Sequence, residues 1–306
     1  MTFAKRVFRF IDKIYDKQQN PPKMKEELKK GLVNQYDIVY NDEHPNDCKL
    51  DVHYLPREEG KYPVIFEIHG GGFSAGDKKH RTCLSMWLAH ETGAVVFNVN
   101  YGLGDEFVCP EPGRHLVKAF NWVVAHAEEY NLDLDHMVVT GDSAGGYASV
   151  LLSVIQDSPA MQGVYGVMNG RFGAAVLNCG LYDINLALKV KILFNLTEGI
   201  AHDFAGISTS ELPTYPLRDF ISPTDHITPN FPKTYVIYAE KDFFCGGQGE
   251  LLMQKLEENG VYHEAYGSTT QSDNHTFPLV WKSEAAQEAN RRFLDFVLRY
   301  FNDELK

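Results

Sequence analysis

The sequence predicts an α/β protein built on a mostly parallel sheet of eight strands with helices on both faces. Three observations predict it. Eight short apolar runs, rich in β-branched and aromatic residues, recur along the 306 residues, and helical patterns separate most of them. One run ends in a glycine–serine–glycine turn that opens directly into a helical pattern, and another ends in three consecutive glycines. Strands alternating with helices imply a parallel sheet covered on both sides, because each crossover lays a helix across a face.

Taken in order, Phe3, Val7, Phe10, Ile11, Ile14 and Tyr15 recur at helical spacing, which predicts an amphipathic helix over residues 2–18. Pro21-Pro22 interrupts it, and Lys23–Lys30 forms a second short, basic helical piece ending at Gly31. Tyr36–Tyr40 and Lys49–Leu55 read as an antiparallel pair that opens the sheet. Val64–Ile68, Ala94–Val99, Met137–Thr140, Ala174–Asn178, Thr234–Ala239 and Val261–Tyr266 supply the remaining strands. Residues 185–225 break the rhythm: Leu186–Leu196 has a helical pattern, and the rest is rich in Pro, Ser and Thr. Glu284–Phe301 is the terminal helix. The length suits a single domain over 1–306, ample for a substantial core.

Composition narrows the function. A net charge of −12 argues against nucleic acid or anionic lipid as the main partner. The charge is uneven: residues 1–30 hold nine Lys/Arg against four Asp/Glu, so the remainder carries −17. The basic first helix therefore has two readings, a membrane-surface helix or an N-terminal piece of a lid. No apolar run approaches the roughly 20 residues a membrane span needs. The stretch Val7–Lys13 is broken by charges and does not read as a secretory signal. Cys48, Cys83, Cys109, Cys179 and Cys245 show no paired spacing and leave one over, which points to a reducing, cytoplasmic compartment and to neither a disulfide framework nor a zinc site.

The chemistry lies in two motifs. Met137-Val138-Val139-Thr140 runs into Gly141-Asp142-Ser143-Ala144-Gly145-Gly146, followed by a helical pattern to about Gln156. A serine hydroxyl is a poor nucleophile unless held out of the backbone beside a base, and a sharp strand-to-helix turn does that holding. The helix also points its free N–H groups at the serine. Upstream, Val64-Ile65-Phe66-Glu67-Ile68 runs into His69-Gly70-Gly71-Gly72-Phe73. A tetrahedral intermediate needs N–H donors fixed where its oxyanion forms, and consecutive glycines let a loop turn amides inward. Each such donor is worth about 10²–10³ in rate.

With these motifs the chain resembles the α/β-hydrolase fold family of the hormone-sensitive-lipase-like group, the bacterial acetyl esterases and carboxylesterases. The resemblance rests on His69-Gly70-Gly71-Gly72, on Gly141–Gly146, on Asp242 and on Asn274-His275-Thr276-Phe277, and covers roughly residues 35–300. It implies an oxyanion hole from the amides of Gly71, Gly72 and Ala144, with His69 and Gly70 supporting the loop and His69 outside the proton transfer. It implies a small helical cap, assigned to residues 1–33 and 185–225, the latter inserted between the sixth and seventh strands. It also implies the chain order serine, acid, histidine.

The order places the remaining partners after Ser143. Asp242 follows the strand Thr234–Ala239 at its carboxyl end, where catalytic groups of parallel sheets gather. Glu240 is its nearest rival and Asp183 a weaker one. Of the twelve histidines, His263 lies in a strand, His115 and His126 in a helix, and His202 and His226 in the middle insertion. Only His275 combines the expected order with a loop before the terminal helix. In one stretch the chain departs from the family: where Tyr-Arg-Leu is usual it has Tyr101-Gly102-Leu103-Gly104, and His115 stands near the expected Asp. That Arg–Asp pair would be structural, so the departure bears on local packing.

The function expected is hydrolysis of short-chain acyl esters, acetyl to butyryl, by a serine carboxylesterase through an acyl-enzyme, with no metal or organic cofactor required. Phe73, Tyr147, Phe243 and Phe244 either line the substrate pocket or belong to the core. The partner is a small-molecule ester, and the chain is a monomer or homodimer. The alternatives are an amidase or peptidase on the same scaffold, or a binding protein that has lost catalysis. A peptidase would normally carry a large extra domain, and a binding protein would lack a triad member.

Overall fold

The computed structural model describes residues 2–189, 196–270 and 273–305. Its sheet has eight strands: β1 (Val33–Val39), β2 (Lys49–Tyr54), β3 (Tyr62–Ile68), β4 (Val95–Val99), β5 (Leu132–Asp142), β6 (Ala174–Asn178), β7 (Lys233–Ala239) and β8 (His263–Ser268). The strand order is β1-β2-β4-β3-β5-β6-β7-β8. β2 pairs antiparallel with β1 and β4, and every later neighbour is parallel. The parallel strands therefore all present their carboxyl ends at one edge of the sheet.

Alternation of side chains sorts the two cores. Val64, Phe66 and Ile68 of β3, Phe97 of β4 and Val139 of β5 point to one face. There they meet α4 (Glu111–Ala125), α5 (Ala144–Ile155), α6 (Pro159–Tyr165) and α9 (Gln248–Glu258). Ile65, Val96, Val138, Val176 and Ile237 point the other way, against α3 (Thr82–Thr92) and α10 (Glu284–Phe301). α5 is buried along its whole length, which is why its sequence shows no polar face.

α1 (Phe3–Gln19) begins at Thr2, whose hydroxyl accepts from the Lys5 N–H. It buries Ala4 and Phe8 and leaves Phe3, Phe10, Ile14 and Tyr15 exposed. The short α2 (Pro22–Leu28) packs on α3, where His90 Nε2 meets the Leu28 carbonyl at 2.7 Å. Between β6 and β7 lie α7 (Ile184–Ala187), α8 (Leu196–Ala205) and several single turns. The helix expected over Leu186–Leu196 falls partly on residues 190–195, outside the described residues; α7 stops at Ala187 and α8 starts at Leu196. β5 starts five residues earlier than the run Met137–Thr140, because its first half, Leu132–His136, is polar and half-exposed. β1 starts earlier than Tyr36 and carries a bulge where Asp37 takes φ 57° and donates its N–H to Asp51. Among the described residues no helix is long and apolar enough to cross a membrane.

Candidate active site

Ser143 is the single residue between β5 and α5. Its backbone sits at φ 53°, ψ −119°, a conformation that L-residues adopt only under constraint. The constraint is visible on both sides. The Ser143 N–H donates to Asn178 O at 3.0 Å on β6, and α5 seats itself against the end of β3. A Cβ on Gly145 would lie 2.0 Å from Ile68 O, so only glycine permits that approach.

His275 accepts the serine: its Nε2 lies 2.8 Å from Ser143 Oγ, and its Nδ1 lies 2.8 Å from Asp242 Oδ2. The carboxylate on Nδ1 favours the tautomer that leaves the Nε2 lone pair facing the hydroxyl. Asp242 is buried, and its other oxygen accepts the N–H groups of Phe244 and Cys245, both at 2.8 Å. Burial pushes this carboxyl up, but the His275 imidazole and the two amides outweigh it and hold the group below its ordinary value. Asn274, which sequence reasoning quoted without a role, joins the two loops. Its side chain donates to Lys241 O at 3.1 Å and accepts from the His275 N–H at 2.7 Å. The rival acids are elsewhere: Glu240 is exposed, and Asp183 caps α7 by accepting from the Leu186 N–H.

The glycine loop Gly70–Phe73 packs directly on the Ser143 turn. A Cβ on Gly70 would come within 3.0 Å of Ser143 Cβ. Gly71, Gly72 and Phe73 take φ 138°, 60° and 59°, and the space above Gly72 is filled by the Phe8 ring of α1. The Ala144 amide, at the first position of α5, has no acceptor within its own helix. His69 braces the loop from behind. Its Nδ1 bonds Gly70 O at 2.7 Å, its ring stacks on Tyr101 at 4.8 Å, and Tyr101 OH donates to His69 O at 2.9 Å. Burial lowers the imidazole to about 4, so it is neutral, as a brace should be. The Gly70 N–H reaches Asp142 Oδ1 at 3.3 Å, and Arg81 holds both oxygens of the same carboxylate. No local pattern announces this Arg81–Asp142 pair, since its members lie 61 residues apart.

The four aromatic candidates divide between two clefts. Phe73 and Tyr147 meet edge to face at 5.1 Å and both contact Phe204. With Leu116, Leu151 and Ala144 they wall a narrow apolar cavity of about 30 Å³. Phe244 packs on the His275 ring at 5.0 Å, and Phe243 is 57% exposed. These two, with Ile11 and Tyr15 of α1, line an open cleft of about 400 Å³ that reaches His275.

The departure at Tyr101–Gly104 has a structural replacement. Gly102 N–H donates to His115 Nδ1 at 3.1 Å, and the His115 ring lies against His44 and Phe107. Burial lowers this imidazole to about 4 as well, so it serves as a neutral acceptor there. Asp242, Cys245 and His275 offer ligand atoms within 4.8 Å of one another. They do not fit a metal well: both His275 nitrogens are engaged, and burial pushes the Cys245 thiol well up.

An eight-stranded, mostly parallel sheet with a serine elbow after β5 and a histidine loop after β8 defines an α/β-hydrolase. The chain belongs to the BD-FAE family, whose model matches residues 50–256. It is 27% identical over 264 residues to LipM, a probable carboxylic ester hydrolase of Mycobacterium tuberculosis, covering 83% of this chain and 58% of that protein. It is 30% identical over 242 residues to tuliposide A-converting enzyme 1 of Tulipa gesneriana, covering 74% and 60%. The chain thus spans about three-fifths of the length of these curated relatives. Inhibited esterase B from Lactobacillus rhamnosis shares the fold, with a TM-score of 0.82, 20% identity and coverage of 98% and 96%.

Proposed function

We propose that this chain is a serine carboxylesterase that hydrolyses short-chain acyl esters, acetyl to butyryl, through an acyl-enzyme. One observation carries the reading: the unbroken relay from Ser143 Oγ through His275 to Asp242, with 2.8 Å at both links. Ser143 attacks the ester carbonyl while His275 takes its proton, and Asp242 orients the imidazole and stabilises its charged form. The amides of Gly71, Gly72 and Ala144 hold the oxyanion. His275 then returns the proton to the leaving alcohol, and water repeats the cycle to release the acid. The short-chain limit is supported by the narrow cavity beside Ala144, and the open cleft at Phe243 and Phe244 is assigned to the alcohol half.

The cap is assigned to α1 and residues 185–225. α1 packs on α8, with Gly199 against Ala4, and puts Phe8 on the oxyanion loop. All five cysteines are free and buried, which supports a reducing compartment. Hydrolysis of p-nitrophenyl esters from acetate to palmitate tests the proposal, with Ser143→Ala as control. A steep fall beyond butyrate and no turnover in the variant are expected. Palmitate turned over as fast as butyrate would end the chain-length assignment, and undiminished turnover by the variant would end the mechanism.

A further inference from the structure

Among the described residues, seven buried side-chain atoms lack a hydrogen-bond partner, and one of them belongs to a residue in the wall of the narrow cavity at Ala144. It is Oδ1 of Asp203, on α8. The residue is 1% exposed. Its other oxygen is satisfied, accepting from the Thr2 hydroxyl at 2.6 Å. Nδ1 of the exposed His202 lies 3.9 Å from Oδ1, too far for a hydrogen bond. The hydroxyls of the tyrosines in the cavity wall are spoken for: Tyr147 donates to Ile221 O, Tyr165 to Phe220 O and Tyr101 to His69 O.

A carboxylate oxygen buried without a donor is costly, and native proteins retain one mainly where something else supplies the donor. Here the cavity is otherwise apolar, closed by Phe73, Tyr147 and Leu151, and adjoins Ala144, next in chain to the proposed nucleophile. Its contents in the proposed reaction are the acyl chain. Resting on that reading, we propose that Asp203 is a specificity-determining residue, and that the preferred acyl group is a short chain carrying a hydroxyl. The hydroxyl donates to Asp203 Oδ1.

A polar group built to receive a hydroxyl discriminates strongly against the analogue without one, which leaves it bare. The test compares p-nitrophenyl 3-hydroxybutyrate with p-nitrophenyl butyrate in kcat/KM. Wild type is expected to favour the hydroxy ester by about tenfold or more. Asp203→Leu should reverse the preference by improving butyrate and losing the hydroxy ester. Thr2→Val removes the bond to the other oxygen and should keep the wild-type preference, which separates recognition from the tie between α1 and α8. Equal rates on the two esters in wild type, or a parallel loss on both in Asp203→Leu and Thr2→Val, would reduce Asp203 to a structural tie or a water site. Hydrolysis of neither ester by folded wild type would overturn the esterase reading, and this inference with it.

Discussion

Arg81 grips Asp142 with two parallel hydrogen bonds, Nε to Oδ1 at 2.5 Å and Nη2 to Oδ2 at 2.6 Å, and both side chains are buried. Because Asp142 precedes Ser143 and also receives the Gly70 N–H, the pair joins the start of α3, the turn at the proposed nucleophile and the proposed oxyanion loop. Breaking one side of such a pair strands a buried charge and costs about 3–5 kcal/mol. Arg81→Met should therefore lower Tm by on the order of 10 °C and reduce kcat on p-nitrophenyl butyrate. Arg81→Met combined with Asp142→Leu should recover much of the Tm, since an apolar pair of similar volume is tolerated. It should not recover kcat, because the Gly70 tie is gone. Recovery of both would mean that the pair does not align the loops.

For the relay, Ser143→Ala and His275→Ala are each expected to lower kcat by several orders of magnitude, and the double variant to lose little more, because the groups act as a unit. Steady-state rates with phosphonate labelling of Ser143 check this; additive losses would count against a shared mechanism. Asp242→Asn should cost about 10⁴ in kcat by favouring the wrong tautomer. It also carries a stability signature. The folded Asp242 carboxyl is held below its ordinary 3.8, so its contribution is present above that value and fades as pH falls through the folded one. The Tm gap between wild type and Asp242→Asn should accordingly shrink below about pH 4.

Much of this arrangement was legible in the chain because its signals are local. The strand, the glycines and the helix around Ser143 lie within about twenty residues, and β6 and α10 have the bounds their periodicity predicts. Chain order and loop position single out His275, and the place after an apolar strand singles out Asp242, as candidates. The pairings that complete the site are not local. Arg81 with Asp142 and Thr2 with Asp203 each join segments with no shared pattern. A polar residue reads alike whether it faces water or a buried partner. The first half of β5 was missed for a related reason: Asp133, Asp135 and His136 look like a loop, and pairing of Leu132 with Tyr62 makes it strand.

Glu67 offers a pH test of the core behind the site. It points from β3 to the α3 face, 1% exposed, bonded to the Ser85 hydroxyl through one oxygen and unpartnered at the other. Burial, opposed by Ser85 and Arg81, raises its carboxyl from 4.5 to about 8. Between those values the folded chain holds a proton that the unfolded chain has released, so stability falls as pH rises and levels off above about 8. Glu67→Gln removes that proton exchange. Its stability should match wild type near pH 4 and exceed it increasingly toward pH 8, by up to about 1.4 kcal/mol per pH unit. Urea unfolding across pH 4–9 measures the gap; parallel curves would place Glu67 in water or in a firm ion pair.

The contact between Phe8 and Gly72 predicts how far the N-terminal helix governs the chemistry. A Cβ on Gly72 would lie 2.2 Å from the Phe8 ring, and the residue already sits at φ 60°. Gly72→Ala therefore meets two separable costs, a left-handed backbone strain of about 1 kcal/mol and a collision that must push α1 or the loop aside. Because the loop's amides are the proposed oxyanion donors, the collision should appear in kcat, with a loss of about 10² or more, and only modestly in Tm. Phe8→Ala alone should leave the loop in place and weaken the seat of α1. Combined with Gly72→Ala it should restore part of kcat, since space is returned while the backbone strain remains. A double variant as inactive as Gly72→Ala would assign the loss to the backbone of the loop and free α1 of any role in holding it.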